Sequence, residues 1–158
     1  MEKAVVARIE ETKDRILVLT RTFDAPRELV FDAWTDAEHF AQWCAPANFE
    51  VIRNSADVRR GGVWWSLMQA PDGEECSVSG VYREVVASER LVFTYAHELP
   101  DSSHGPETLV TVIFEAIDGK TKLSLRQSVF DSVENCVAHS IGWSECLDRL
   151  AAQLSNAA

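Results

Sequence analysis

The stretch DSVENCVAHSIGWSECLDRLAAQLSN, residues 131–156, decides the fold of this chain. Its small and apolar residues recur at steps of three and four, the spacing of one face of an α-helix. The stripe is made of Cys136, Ser140, Trp143, Leu147, Leu150 and Leu154. We therefore predict one long C-terminal helix over 131–156. Its apolar face must be covered, and a sheet formed by the preceding residues is the only large surface available.

The residues before this helix have the pattern of consecutive β-strands. Short apolar runs separated by turn residues predict six strands, over 49–58, 63–69, 76–86, 91–98, 108–117 and 121–130. Turn sequences such as Pro71-Asp72-Gly73 and Asp118-Gly119 separate them. Short connections imply antiparallel pairing, because parallel neighbours need long crossovers. Gly80, in the middle of a strand, marks either a bulge or a close approach of another group.

One more strand and two short helices precede this region. Apolar, β-branched residues predict a first strand over 16–23, whereas the polar residues 1–14 are expected to form a loose arm. Pro26 is a helix-start signal, and it predicts a helix over 26–35.

The second short helix has its own start signal. Thr35 and Glu38 fit a capping box, which predicts a helix over 37–43. The whole chain, 1–158, is thus expected to be a single α+β domain of the helix-grip type. In this fold a curved antiparallel sheet of six to seven strands grips the long C-terminal helix.

Composition and charge limit the classes of partner. Hydrophobic residues make up 46% of the chain, enough for one sizeable core, so the disordered class is excluded. The formal net charge is -10. An acidic surface repels phosphate backbones and anionic lipid headgroups, so we expect neither nucleic acid nor a membrane as a partner.

The cysteines and the N-terminal residues bear on localisation. Cys136 and Cys146 are ten residues apart on the predicted helix, about 15 Å at the helical rise, too far for a disulfide. Cys44 and Cys76 belong to no CxxC pair. No secretory signal follows Met1, and no apolar run is long enough to span a membrane. These features favour a cytoplasmic protein with reduced thiols.

Several short motifs, in this order and spacing, are similar to those of a known family. They are FDAPRELVFDAWTD at 23–36, Trp43 before a Pro-containing loop, DVRRGG at 57–62, PDG at 71–73, GVYRE at 80–84, ERLVFT at 89–94, residues 119–125, and Gly142-Trp143. The element order resembles the START-like (SRPBCC) superfamily. The motifs resemble, within it, the activator of Hsp90 ATPase homologue 1-like family, over about residues 16–154.

This resemblance implies a cavity between the sheet and the long helix. Members of the superfamily bind lipids, hormones, polyketides or aromatic compounds there, and a few are cyclases or catalytic domains of oxygenases. The chain is therefore expected to bind a small hydrophobic molecule without a cofactor. The chaperone partner in the family's name is not carried over as an activity.

Alternation along the strands selects the candidate lining of such a cavity, because successive side chains point to opposite faces. The candidates are Arg21, Trp64, Ser66, Met68, Tyr82, Phe93, Tyr95, Val112, Phe114, Leu125, Gln127, His139, Trp143 and Leu147. Arg21 is a candidate for binding a ligand carboxylate through its forked donors. The same residues would also form a solid core, because protein interiors are close-packed.

Two other functions stay open at this point. A cofactor-free cyclase, dehydratase or hydrolase requires at least two polar groups to meet in one pocket. They would be drawn from Arg21, Tyr82, Glu84, Gln127 and His139. A protein-interaction role or a homodimer requires an exposed apolar patch, with Trp65 and Leu67 as expected members. Cys136 and His139 share one helix face, but two ligands fall short of a zinc site, so no metal is expected.

Overall fold

In the computed structural model of the protein, the described residues form eight β-strands and three α-helices. The structure describes residues 6–10, 16–45, 48–98, 105, 107–128 and 133–157; its description of side chains leaves out those of 6–10, 133–140 and 155–157. The elements are β1 Val6–Glu10, β2 Ile16–Phe23, α1 Arg27–Thr35, α2 Ala37–Trp43, β3 Glu50–Ala56, β4 Val63–Gln69, β5 Glu75–Val86, β6 Arg90–His97, β7 Thr108–Ile117, β8 Lys120–Ser128 and α3 Val133–Ala157. The predicted helix-grip class and the order of the predicted elements are confirmed, and β1 is a strand that was not predicted.

The strands form one antiparallel sheet in the order β1-β2-β8-β7-β6-β5-β4-β3. The first predicted strand therefore lies next to the last one, and β3 forms one edge. At the other edge β1 pairs with β2, with Ile9 opposite Leu17. The expectation of a loose arm over 1–14 is thus wrong for Val6–Glu10, because these residues pair with backbone groups of β2. Residues 1–5 and 11–15 lie outside the described part.

The helix α2 begins differently from the sequence prediction. The side chain of Asp36 accepts hydrogen bonds from the backbone N–H groups of Glu38 (2.9 Å) and His39 (3.2 Å). The Thr35 hydroxyl instead donates to the Phe31 carbonyl at 3.0 Å. The predicted capping box is therefore wrong by one position: Thr35 is the last residue of α1, and Asp36 caps α2.

The long helix α3 packs against the sheet through the stripe that the sequence predicts. Trp143, Leu147, Leu150 and Leu154 are buried and belong to the same core as the inward side chains of the sheet. The stripe's first members, Cys136 and Ser140, lie outside the described side chains. No helix in the described ranges is both long enough and apolar enough to span a membrane.

Candidate functional site

A small cavity lies where α1 meets α2, under the inner face of the sheet. Its walls come from the two short helices, β3, β4, β5, β6 and α3. The lining residues are Trp34, Thr35, Ala37, Phe40, Asn54, Ser55, Ala56, Trp64, Trp65, Tyr82, Leu91, Phe93, Tyr95 and Trp143. The cavity volume is about 30 Å³. That is space for only one or two water molecules, so most of the interior is solid core.

Aromatic rings form most of the cavity wall. Trp34 of α1 stacks on Trp143 of α3, with ring centroids 5.7 Å apart and an interplanar angle of 26°. Trp64 of β4 meets Phe93 of β6 edge to face at 5.6 Å. Tyr95 joins the two groups, with its ring centroid 5.6 Å from Trp64 and 6.1 Å from Trp143. Flat, polarisable walls of this kind suit a planar apolar molecule.

The glycine in mid-strand β5 allows Trp64 to take its place in this wall. Trp64 lies opposite Gly80 in the β4–β5 ladder, and its indole N–H donates to the Thr94 carbonyl at 3.2 Å. A Cβ on Gly80 would lie 1.8 Å from the Thr94 oxygen and 2.7 Å from Trp64 Nε1. The close approach at Gly80 is therefore confirmed, and the bulge, which the sequence pattern favoured there, is wrong for this position. The bulge of β5 lies between Tyr82 and Glu84.

A chain of buried hydrogen bonds holds Trp143 at the other side of the cavity. Its indole N–H donates to Gln127 Oε1 at 2.9 Å. Gln127 Nε2 in turn donates to the Thr108 hydroxyl at 2.8 Å, and that hydroxyl donates to the Tyr95 carbonyl at 2.8 Å. Both polar ends of the Gln127 side chain are thus used within the protein, and the residue supports the cavity wall from behind.

One polar group of the lining is buried without a hydrogen-bond partner among the described residues. Trp34 is 3% exposed, and its indole N–H is unpaired. Tyr82 supplies a hydroxyl group to the same lining. Burial raises the pKa of the Tyr82 phenol to about 12, so at neutral pH this group is a hydrogen-bond donor rather than a base.

Several partly exposed residues of the lining are small or polar. They are Thr35 and Ala37, from the two short helices, and Asn54 and Ser55 of β3. The Asn54 side-chain N–H donates to the Ala37 carbonyl at 3.0 Å, which ties β3 to the start of α2. None of the lining residues is charged at neutral pH.

Five of the side chains predicted to line a cavity meet at this one. They are Trp64, Tyr82, Phe93, Tyr95 and Trp143. Seven others are buried in the core away from this cavity: Ser66, Met68, Val112, Phe114, Leu125, Gln127 and Leu147. His139 lies outside the described side chains.

Arg21 is inward-facing, as its strand parity predicts, but it lies away from the cavity. Its guanidinium is buried and pairs with Asp148 of α3, which is largely exposed. It also lies over the ring of Phe23, 5.7 Å from the centroid. The proposed contact with a ligand carboxylate therefore has no support from this geometry.

The sequence interpretation missed the helical and edge-strand contributions to the site. Trp34 and Phe40 come from α1 and α2, and Asn54 and Ala56 come from β3. The apolar stripe of α1 already contained Trp34, but a stripe alone does not separate a cavity wall from core. Only the fold places the α1–α2 junction over the sheet.

The polar groups considered for acid–base chemistry do not converge. Glu84 is exposed and pairs with Arg90, and Arg21 pairs with Asp148. Of the four candidates with described side chains, only Tyr82 lines the cavity. Within the described ranges, no three His, Cys, Asp or Glu side chains are grouped so that they could hold a metal ion.

Thiols lie beside the aromatic wall and are free. Burial, and next a hydrogen bond with the neighbouring Cys146, raise the pKa of the Cys44 thiol well above its ordinary value. Burial likewise raises the pKa of the Cys76 thiol, whose sulfur lies 3.6 Å from His97 Nδ1. These thiols are therefore protonated at neutral pH and suit a packing role more than a nucleophilic one.

Comparison with known families gives a match over most of the chain. The model of the family described as Activator of Hsp90 ATPase homolog 1-like protein matches residues 24–155. None of the curated proteins compared with the chain matches it significantly.

Solved structures with the same fold include two that are 28% identical in sequence. One is an AHSA1 protein from Silicibacter pomeroyi, with a TM-score of 0.82 over 90% of this chain and 99% of that one. Another is a protein from Chromobacterium violaceum, with a TM-score of 0.74 over 87% and 95% of the two chains. A protein from Arthrobacter aurescens, 20% identical, has a TM-score of 0.83 over 94% and 91%, which shows the shared fold alone.

Proposed function

The chain belongs to the Activator of Hsp90 ATPase homolog 1-like family, and on this premise we propose that it binds a small hydrophobic, aromatic molecule in the cavity beneath α1 and α2. The fold of this family commonly binds hydrophobic ligands. The observation that carries the proposal is the wall of stacked and edge-to-face rings, which includes Trp34, Trp64 and Trp143.

Binding of a ring-sized ligand requires the cavity to widen. A cavity of about 150 Å³ holds benzene, whereas this one measures about 30 Å³. The wall between α2 and β3 is the expected moving part, because β3 is an edge strand and the Asn54–Ala37 hydrogen bond ties it to the start of α2. Ligand binding is thus coupled to a small displacement of the α1–α2 junction from β3.

The thiols and the net charge bear on the compartment and on the partners of the protein. Free thiols at Cys44, Cys76 and Cys146 favour a reducing compartment, so we place the protein in the cytoplasm. The net charge of -10 argues against nucleic acid and anionic membrane surfaces as partners.

The direct test is analysis of what the purified protein carries. The protein is denatured and extracted, and the extract is analysed by mass spectrometry for a stoichiometric apolar compound. Ala56→Leu adds side-chain volume to the cavity wall and is expected to abolish binding of the compound. Ala116→Leu, on an exposed part of β7, is the matched control and is expected to retain it.

The proposal fails if two results coincide. One is an extract that contains no bound compound. The other is that added 2-acetylnaphthalene does not bind to the protein at concentrations up to its solubility limit. A compound retained equally by wild type and Ala56→Leu would place the binding site elsewhere.

Self-association into a homodimer is a second candidate, with one observation in its favour. On the outer face of β4, Val63 is 55% exposed and Trp65 is 38% exposed, while Leu67 is half-buried. Exposed large apolar side chains at adjacent outward positions favour a protein contact. Sedimentation equilibrium is expected to show a dimer that Val63→Lys, which leaves the cavity lining unchanged, converts to a monomer. A monomeric wild type would remove this candidate.

A further inference from the structure

The indole N–H of Trp34 differs from those of the other buried tryptophans. Trp43 donates to the Ala33 carbonyl, Trp64 to the Thr94 carbonyl and Trp143 to Gln127. Trp34 is equally buried, yet its N–H has no acceptor among the described residues. Buried donors in native proteins are nearly always paired, so an orphaned one in a cavity wall points to a partner from outside the chain.

Trp34, which carries this donor, belongs to the lining of the candidate binding site. Its ring lines the cavity, stacks on Trp143 and lies 6.5 Å from the ring of Phe93. Tyr82 contacts the same Phe93 ring, at 6.1 Å, and it carries the hydroxyl group of the lining. Trp34 and Tyr82 thus line one small aromatic cavity.

The chemistry of these groups defines the partner. An indole N–H only donates, so its partner must be an acceptor. The lining contains no charged side chain that would compensate a buried carboxylate or ammonium group. An uncharged oxygen, of a carbonyl or an ether, is the acceptor that fits both conditions.

We infer that the ligand is an uncharged aromatic compound with a carbonyl or ether oxygen that accepts a hydrogen bond from Trp34 Nε1. This inference rests on the proposed function and adds the polar group of the ligand to it. The rings of the cavity wall bind the aromatic part, and Trp34 selects compounds with the oxygen over those of the same shape without it.

The test uses two probes of the same shape. 2-Acetylnaphthalene carries a carbonyl oxygen where 2-isopropenylnaphthalene carries a methylene group. Their dissociation constants are measured by equilibrium dialysis against the wild type, Trp34→Phe and Trp64→Phe. We expect the wild type to bind the acetyl probe about tenfold more tightly, because the methylene group leaves the buried N–H unpaired.

The variants identify the donor. Trp34→Phe keeps an aromatic ring and removes the N–H, so the affinity ratio is expected to fall to near one. Trp64→Phe is the matched control, because the N–H of Trp64 already donates a hydrogen bond to the Thr94 carbonyl. In that variant we expect both probes to bind more weakly, with the ratio of their dissociation constants unchanged. Circular dichroism checks that each variant is folded, and the ratio in the wild type tests the inference even where a variant does not fold.

Each remaining outcome is decisive. Equal affinities in the wild type overturn the inference, since a water molecule then satisfies the donor, but they leave the proposed function standing. A preference for the acetyl probe that persists in folded Trp34→Phe overturns the assignment to Trp34. Binding of neither probe counts against the proposed function itself.

Discussion

The side-chain oxygen of Gln127 in β8 accepts a hydrogen bond of 2.9 Å from the indole N–H of Trp143 in α3, and both side chains are buried. This contact connects the centre of the sheet to the helix that it grips. Together with the burial of Leu147, Leu150 and Leu154, it favours one rotation of α3 about its axis. The ring of Trp143 is thereby presented to the cavity.

Replacing Gln127 by Met tests the energy of this contact. Met has a similar volume but no oxygen to accept the hydrogen bond from the indole. The N–H of Trp143 would therefore be left unpaired in the core. We expect the free energy of unfolding in urea to fall by about 1–3 kcal/mol. Ser124→Ala, on the same strand and half-buried, is the control and is expected to change it by less than about 0.5 kcal/mol. Equal effects of the two substitutions would contradict a special role of the contact.

Two Gly→Ala substitutions are expected to have opposite effects. At Gly80 the new methyl group would lie 1.8 Å from the Thr94 carbonyl oxygen, so β5 and β6 would have to separate. The expected loss of stability is about 3 kcal/mol or more. At Gly142, within α3, no atom lies within 4 Å of the new methyl group, so Ala is expected to stabilise by about 0.5–1 kcal/mol. Thermal unfolding of both variants measures the contrast, and a tolerated Gly80→Ala would show that the strands separate easily.

Stability at alkaline pH is expected to depend on Tyr82. Burial raises the pKa of its phenol to about 12, whereas in the unfolded chain the phenol loses its proton near pH 10. The folded state therefore holds this proton more tightly than the unfolded chain does. The protonated Tyr82 phenol contributes fully to the free energy of unfolding below pH 10, and this contribution is lost as the pH rises from 10 towards 12. Tyr82→Phe should make the decline in unfolding free energy between pH 8 and pH 11 less steep. A decline unchanged in this variant would assign the effect to other groups, such as Tyr95.

The absence of charged groups from the cavity lining predicts discrimination against anions. At pH 7, 2-naphthoate carries a carboxylate where 2-acetylnaphthalene carries a neutral acetyl group. We expect the anion to bind at least about tenfold more weakly in equilibrium dialysis, because burying an unpaired carboxylate is costly. Arg21→Met should not change either affinity, since Arg21 lies away from the cavity and pairs with Asp148. Tighter binding of the anion, lost in Arg21→Met, would restore Arg21 to the site.

Local patterns were sufficient to predict most of the fold. The stripe through Trp143, Leu147 and Leu154 predicted α3, and period-two alternation predicted which face of β4 is inward, with Trp64 buried and Trp65 exposed. Both signals depend on the repeat of a single element. Where a boundary depended on one side chain, as at Thr35 and Asp36, the sequence was ambiguous by one residue because both residue types cap helices.

The candidate site was predictable only in part. Alternation identified Trp64, Tyr82, Phe93 and Tyr95 as inward, but it identified Met68 and Leu125 equally well. Inward direction is a property of one strand, whereas a gap in packing depends on every element that meets there. The contribution of Trp34 needed the position of the α1–α2 junction over the sheet.

The sequence by itself determined the helix-grip class, the antiparallel order of neighbours along the chain and the burial of the long helix. These follow from hydrophobic periodicity and short connections, which act between residues close in sequence. Only the tertiary structure decided that Val6–Glu10 pairs with β2, that Gly80 admits the Trp64 indole, and that Trp34 keeps an unpaired donor beside the cavity. Each of these depends on distances between segments far apart in sequence, which packing of the whole chain sets.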